Sequence, residues 1–218
     1  QFIRSNQIAV TSNTNQVRIY TLPDLSECKV LGQSAVGGAQ HSDMILCMAA
    51  SNDKKLLATG GKDQTILVWD LQTLKCIAVL SGHNGAVTSV CFMCKSNRYL
   101  VSAGLDLTWK LWDLKPALDV KDEYAEVKQI KESVGTYRAH SKEINTITVS
   151  KNDTMIATAS LDREIKLFSL KDYKTAKEVG TLKGHKRGVW DIHFSPVDQM
   201  LASSSVDGTI KLWSLASK

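Results

Sequence analysis

Four sets of a histidine, a small hydroxyl residue and an aspartate recur along the 218 residues: His41 with Thr59 and Asp63, His83 with Ser102 and Asp106, His140 with Thr158 and Asp162, His185 with Ser203 and Asp207. A hydroxyl, an imidazole and a carboxylate are the ingredients of an activated nucleophile, in which the carboxylate orients the ring and the ring takes the hydroxyl proton. The spacing points elsewhere. Six residues beyond each aspartate stands an aromatic ring, Trp69, Trp112, Phe168 or Trp213, and the histidine-to-ring separations are 28, 29, 28 and 28 residues. Catalysis needs one exposed nucleophile beside its base. Four copies, each with its hydroxyl inside an apolar run, predict instead a lock that ties a loop to two strands. The aspartate fixes the imidazole, and the hydroxyl bridges that ring to the indole N–H. No catalytic residue is assigned. Phe168 keeps a ring but lacks the N–H, so Thr158 is expected to need another partner.

The elements that position these sets alternate apolar and polar residues with period two, the pattern of half-buried strands. Thr65–Trp69 and Thr209–Trp213 read as strands, as do Val87–Phe92 and Val189–Phe194 beyond the histidine loops. Turn clusters at Ser51–Asp53, Lys95–Asn97, Lys151–Asp153 and Ser195-Pro196 separate them. Ile77–Leu80 is one example of the further strand before each next histidine. Each repeat is thus four antiparallel strands, and the expected class is an all-β propeller with each sheet as a blade. Residues 1–38 read as a partial blade, with Tyr20 at the aromatic position, Thr14 where the aspartate belongs and Val10 where the hydroxyl belongs. Its first strand is expected before residue 1. Residues 39–80, 81–137 and 138–182 read as full repeats, and 183–218 as a repeat lacking its outer strand. Between Trp112 and His140, residues 115–131 are expected to be a charged loop inserted on the blade rim.

The composition excludes several classes. With 43% of residues hydrophobic and 22% charged, the chain can build an ordinary core, and no apolar run approaches the ~18 residues of a membrane span. A formal charge of +5 permits contact with nucleic acid without arguing for it. Five cysteines, Cys28, Cys47, Cys76, Cys91 and Cys94, are an odd number, three of them in apolar strand patterns, which fits reduced thiols inside a cell. Cys91 and Cys94 form a CxxC without a second pair, so no metal or redox site is assigned. Gly60-Gly61-Lys62 lacks the order of a phosphate loop. Asn152-Asp153-Thr154 fits a glycosylation sequon in a chain that otherwise reads as intracellular. Residue 1 is glutamine and a strand pattern begins almost at once, so the start reads as trimmed. No cofactor is expected.

Binding surfaces are the better target. Histidine loops and aspartate turns are expected on one face around the central channel. There, Lys62, Leu105, Leu161 and Val206 precede the turn aspartates, Trp190 stands near the channel mouth, and Lys142, Lys186 and Arg187 occupy the last two histidine loops. An apolar patch edged by basic groups is a candidate protein-docking surface. The opposite face carries scattered lysines without interleaved aromatics, the pattern of a solubilising surface.

The histidine loops, the turn aspartates and the pairs Trp69-Asp70 and Trp112-Asp113 resemble the WD-repeat family, while Phe168-Ser169 and Trp213-Ser214 depart from its name-giving pair. The resemblance implies a propeller, and makes these units a segment of a seven-bladed ring; a closed five-bladed ring is the alternative. The stretches HSKEINTITVSKNDTMIATASLDREIKLFSL and GTLKGHKRGVWDIHFSPVDQMLASSSVDGTIKLWSL are similar to the transducin-beta-like WD proteins of the small-subunit processome. That narrower resemblance implies a non-catalytic scaffold in the nucleus and nucleolus. Its partners would be other WD-repeat and assembly proteins, with the box C/D snoRNP and pre-rRNA reached largely through them, in support of early pre-18S processing. A WD-repeat adaptor of a signalling or ubiquitin-ligase complex, reading a peptide on the channel face, is the other reading kept open.

Overall fold

The computed structural model describes residues 1–4, 6–12, 14–25, 28–32, 39–119 and 126–215. Five sheets follow one another along the chain. Blade one holds β1 (Phe2–Arg4), β2 (Gln7–Thr11), β3 (Val17–Thr21) and β4 (Cys28–Val30). Blade two holds β5 (Ile45–Ala50), β6 (Leu56–Gly61), β7 (Thr65–Asp70) and β8 (Cys76–Ser81). Blade three begins with β9 (Val87–Phe92), β10 (Tyr99–Gly104) and β11 (Thr108–Asp113). After a short helix α1 (Lys115–Leu118) and a strand β12 (Lys128–Ile130) it is completed by β13 (Gly135–Arg138). Blade four holds β14 (Ile144–Val149), β15 (Met155–Ser160), β16 (Glu164–Lys171) and β17 (Thr175–Lys183). Blade five, among the described residues, holds three strands, β18 (Val189–Phe194), β19 (Met200–Ser205) and β20 (Ile210–Ser214).

Two sequence expectations are corrected. The first strand of blade one does not lie before residue 1: Phe2–Arg4 pairs antiparallel with β2, Phe2 opposite Ile8, and Ile3 is buried. One inward isoleucine suffices to anchor a three-residue strand. The rim insertion is not simply a solvated loop. Leu114 and Ala117 at its start are buried in the core shared by blades two and three, and β12 pairs parallel with β8, making the sheet of blade two five-stranded. The insertion thereby staples one blade to the next. Its residues 120–125 lie outside the described residues.

Blades pack through alternate residues of their third strand. Val17 and Ile19 of blade one enter a core with Leu57 and Trp69 of blade two. Ile66 and Val68 of blade two meet Leu100 and Trp112 of blade three. Trp109 and Leu111 of blade three meet Ile156 and Phe168 of blade four. Ile165 and Leu167 of blade four meet Ile192 and Leu201 of blade five. Strands β5, β9, β14 and β18 stand innermost and line one polar cleft of about 380 Å³. Each of them carries a bulge near its start, which leaves one residue outside the ladder: Leu46, Thr88, Asn145 and Trp190. A bulge re-aims its side chain. Thr88 Oγ1 donates to the carbonyl of Ile144 at 2.6 Å, and Asn145 Nδ2 to that of Val189 at 2.6 Å, each crossing to the next blade.

Candidate functional site

The four predicted locks form. His41 Nδ1 lies 2.9 Å from Asp63 Oδ2, His41 Nε2 lies 2.9 Å from the Thr59 hydroxyl, and Trp69 Nε1 donates to that hydroxyl at 3.0 Å. Blade three repeats this with 2.9, 2.7 and 2.8 Å for His83, Asp106, Ser102 and Trp112. Blade five does so with 3.0, 2.7 and 2.8 Å for His185, Asp207, Ser203 and Trp213. Nδ1–H donates to the carboxylate, so Nε2 accepts a hydrogen bond from the hydroxyl O–H, and the hydroxyl oxygen in turn accepts the indole N–H. In blade four His140 bonds to Asp162 and Thr158, both at 2.9 Å. Phe168 supplies no donor, and no replacement for the indole reaches Thr158 among the described residues.

Each aspartate also closes the loop around itself. It accepts the backbone N–H of the residue after the histidine: Ser42 at 2.8 Å, Asn84 at 2.9 Å, Ser141 at 3.1 Å and Lys186 at 2.8 Å. The residue after each aspartate, Gln64, Leu107, Arg163 or Gly208, turns through positive φ, 68° to 77°; of the four only Gly208 adopts this without a side-chain penalty. The four lock hydroxyls are buried beneath the loops, so none of these four faces solvent.

Burial pushes the Asp63 carboxyl up, but the His41 ring, the Thr65 hydroxyl and the Ser42 amide more than offset it and hold it at about 2. Asp106 is lowered by the same opposition between burial and the His83 ring, and Asp162 by burial against the His140 ring. Asp207 is lowered first by the Thr209 hydroxyl. Desolvation lowers His140, against the pull of Asp162. Both kinds of shift carry one sign: the unfolded chain binds more protons, so stability rises with pH through each window. The His140 contribution is lost as pH falls below the ordinary histidine value of about 6.5. The Asp63 contribution is lost as pH falls from 3.8 through about 2. Thermal melts from pH 8 to 3 are therefore expected to show a gentle decline below about 6.5 and a steep one below about 4. A melting temperature that rises on acidification through these windows contradicts this assignment.

The residues before the aspartates are held on one rim by a repeated backbone bond. The N–H of Lys62, Leu105, Leu161 and Val206 donates to the carbonyl of Met44, Ala86, Glu143 and Gly188 at 2.8, 2.9, 3.1 and 3.0 Å. Lys62, Leu105 and Val206 are exposed there. Leu161 departs from the sequence expectation: it is half-buried against Gly188 of the next blade, where an added Cβ would meet its Cδ2 at 2.7 Å. Lys142, Lys186 and Arg187 are exposed on the same rim, and none has a carboxylate partner among the described residues. Trp190, 58% exposed, is the bulge residue of β18 and follows the last histidine loop directly. Neither its bulge nor the buried Trp109 was recognised from sequence; a tryptophan at a position held by isoleucine in the other repeats was the available signal. The cysteines are free, and burial pushes Cys47, Cys76 and Cys91 up to about 12, the mark of inert core thiols.

A recurrent lock of this kind at this spacing identifies a repeat family. The model of the WD domain, G-beta repeat, matches residues 37–70, 74–113, 131–169 and 176–214. The chain belongs to the WD40 family. The matches are offset from the sheets: the last three each take the outer strand of one blade with the inner three of the next, and the first covers the inner three strands of blade two. Transducin beta-like protein 3 of Rattus norvegicus is 36% identical over 169 residues, 76% of this chain and 20% of that protein. U3 small nucleolar RNA-associated protein 13 of Saccharomyces cerevisiae is 36% identical over 179 residues, 77% of this chain and 21% of that protein. Nuclear distribution protein PAC1 of Komagataella phaffii is 25% identical over 168 residues, 76% of this chain and 29% of that protein. The chain spans about a fifth of the length of the first two relatives.

Proposed function

We propose that this WD40 segment is a non-catalytic protein-interaction scaffold of the nucleolar small-subunit processome, supporting early pre-18S rRNA processing. One observation carries the reading. Over about three quarters of the chain in each case, identity is 36% to the U3 small nucleolar RNA-associated protein and to transducin beta-like protein 3, but 25% to the nuclear distribution protein. The segment's partners are other WD-repeat and assembly proteins, through which it meets the box C/D snoRNP and pre-rRNA.

The rim of blades three to five supplies the docking surface. Among the described residues Lys142, Lys186 and Arg187 have no carboxylate partner, and the backbone bonds of the turns hold the exposed apolar Leu105 and Val206 on the same rim. Charge with fixed apolar points suits an acidic protein segment. The test is affinity purification of the natural full-length polypeptide, with proteins and RNAs both identified, beside a variant carrying Lys142→Glu, Lys186→Glu and Arg187→Glu. Wild type is expected to recover WD-repeat assembly proteins, a box C/D snoRNA and pre-18S RNA. The variant is expected to lose at least about tenfold of one protein partner while melting within about 2 °C of wild type. Recovery of cullin, kinase or receptor partners without precursor RNA replaces this reading with the peptide-reading adaptor.

A further inference from the structure

The face opposite the rim carries the turns between the first and second strands of the blades, and polar side chains bridge two of its junctions. Asn52 of blade two donates from Nδ2 to the Cys94 carbonyl of blade three at 3.2 Å. Asp153 of blade four reaches back to blade three. Its carboxylate accepts the consecutive backbone N–H groups of Cys94 at 2.7 Å and Lys95 at 2.8 Å, and the Tyr173 hydroxyl at 3.0 Å. Two adjacent amides converging on one carboxylate make an anion cradle, and Asp153 is buried in it.

The next junction repeats the cradle without the anion. Met93 and Ser150 close the ladders of blades three and four on the carbonyls of Tyr99 and Met155, so Lys151 and Asn152 stand where Cys94 and Lys95 do. Their backbone N–H groups have no acceptor among the described residues. Asp198 of blade five lies three residues beyond Ser195, as Asp153 lies three beyond Ser150, yet it does not fill the cradle. Asp153 points back from a left-handed backbone, φ 61°. No residue of 195–199 has a positive φ, the Ser195 hydroxyl accepts the Asp198 N–H at 3.0 Å, and Asp198 is exposed. Between the two turns lies an open cleft of about 650 Å³. Lys95 and Lys151 line it against the single carboxylate of Asp198, and neither lysine has a carboxylate partner among the described residues. Met155, Phe194 and Val197 form its apolar wall, and Val197 is 88% exposed.

We propose that this cleft is a second docking site, which takes an acidic side chain of an extended protein segment. The carboxylate sits on the Lys151 and Asn152 amides as Asp153 sits on those of blade three, and its apolar neighbours lie against Met155, Phe194 and Val197. The filled cradle at the preceding junction argues for a carboxylate, the two lysines complement its charge, and the apolar wall suits flanking side chains rather than a ribose-phosphate chain. The site is on the face opposite the rim and does not depend on which assembly the protein joins.

The test is fluorescence polarisation with the natural full-length polypeptide and a set of short labelled peptides, each with a central aspartate between apolar residues, beside twins with asparagine at the centre. The aspartate peptides are expected to bind at least about tenfold more tightly than their twins. Lys151→Pro removes a cation and an N–H at a position where blade five has Pro196, and is expected to abolish the preference. Lys151→Met keeps the N–H and is expected to retain part of it. Both are expected to melt within about 2 °C of wild type. If the proline variant unfolds, Lys95→Glu with Lys151→Glu carries the same expectation of loss. Equal binding of the twins, or binding that these variants leave unmoved, overturns the proposal. So does a single-stranded RNA that binds through Lys95 and Lys151 while no peptide does, which makes the cleft a phosphate site. An aspartate preference seen only in Asp198→Asn also overturns it, because Asp198 then closes the cradle itself. The triple rim variant at Lys142, Lys186 and Arg187 is expected to leave peptide binding unchanged, which keeps failure here distinct from failure of the scaffold reading.

Discussion

Asp106→Ala is expected to destabilise the propeller by about 3 kcal/mol, a fall of roughly 6–12 °C in melting temperature for a unit of this size. The carboxylate holds His83 Nδ1 at 2.9 Å, the Asn84 amide at 2.9 Å and the Thr108 hydroxyl at 2.7 Å. His83 is buried. Removing the carboxylate leaves its Nδ1–H without an acceptor and frees the tautomer that the Ser102 and Trp112 bonds require. The loss therefore spreads along the chain of bonds rather than stopping at one pair. Blade three is flanked on both sides, so it cannot relax by opening. Asp207→Ala in blade five is expected to cost less, because Trp213 there is only half-buried and the blade already faces solvent on one side. A double-mutant cycle with His83→Ala checks the coupling: His83→Ala and Asp106→Ala are expected to be strongly non-additive. An Asp106→Ala protein that melts with wild type removes the lock from any account of stability.

The lock and the blade order were legible in the sequence because both depend on local periodicity. Histidine, hydroxyl, aspartate and ring each sit at a fixed offset, and the alternation between them leaves little choice of strand face. What was not legible is what one blade does to another. The bulges at Leu46, Thr88, Asn145 and Trp190 involve four unrelated side chains, so no residue type marks them, although the register shift decides where each one aims. Strand β12 was hidden for a related reason. Residues 115–131 are dominated by charge, and three of them become a strand only because the free edge of β8 stands beside them. Strand β1 likewise rests on Ile3 finding a core made by residues much further along the chain. The rim residues divide in the same way: sequence placed Leu105, Leu161 and Val206 together, and packing against Gly188 then withdrew Leu161.

The departure at Phe168 has its explanation across a junction, and it yields the sharpest test of packing. Blade four has the smaller ring where the other full repeats have tryptophan, and blade three has Trp109 where they have isoleucine: Ile66, Ile165 and Ile210. The two meet. Trp109 is fully buried, stacked on Tyr137 with centroids 4.3 Å apart and edge-on to Phe168 at 5.2 Å. Volume lost on one blade is thus supplied by its neighbour, at the expense of the Thr158 donor and of a buried Trp109 Nε1 that has no hydrogen-bond partner. Trp109→Ala is expected to cost about 3–5 kcal/mol, the range for emptying a buried aromatic site. Trp109→Phe is expected to cost less than Trp112→Phe by about 1–2 kcal/mol, since the first removes an unsatisfied donor and the second breaks a 2.8 Å bond to Ser102. Phe168→Trp alone overpacks the junction and is expected to destabilise by about 1–3 kcal/mol, even though it restores a donor for Thr158. Combined with Trp109→Ile, which restores the pairing of sizes found at the other junctions, it is expected to recover most of that loss. Denaturant melts of the two single variants and the double variant decide the matter: additive losses would mean that the two positions do not share volume, and that Phe168 has no compensating partner in blade three.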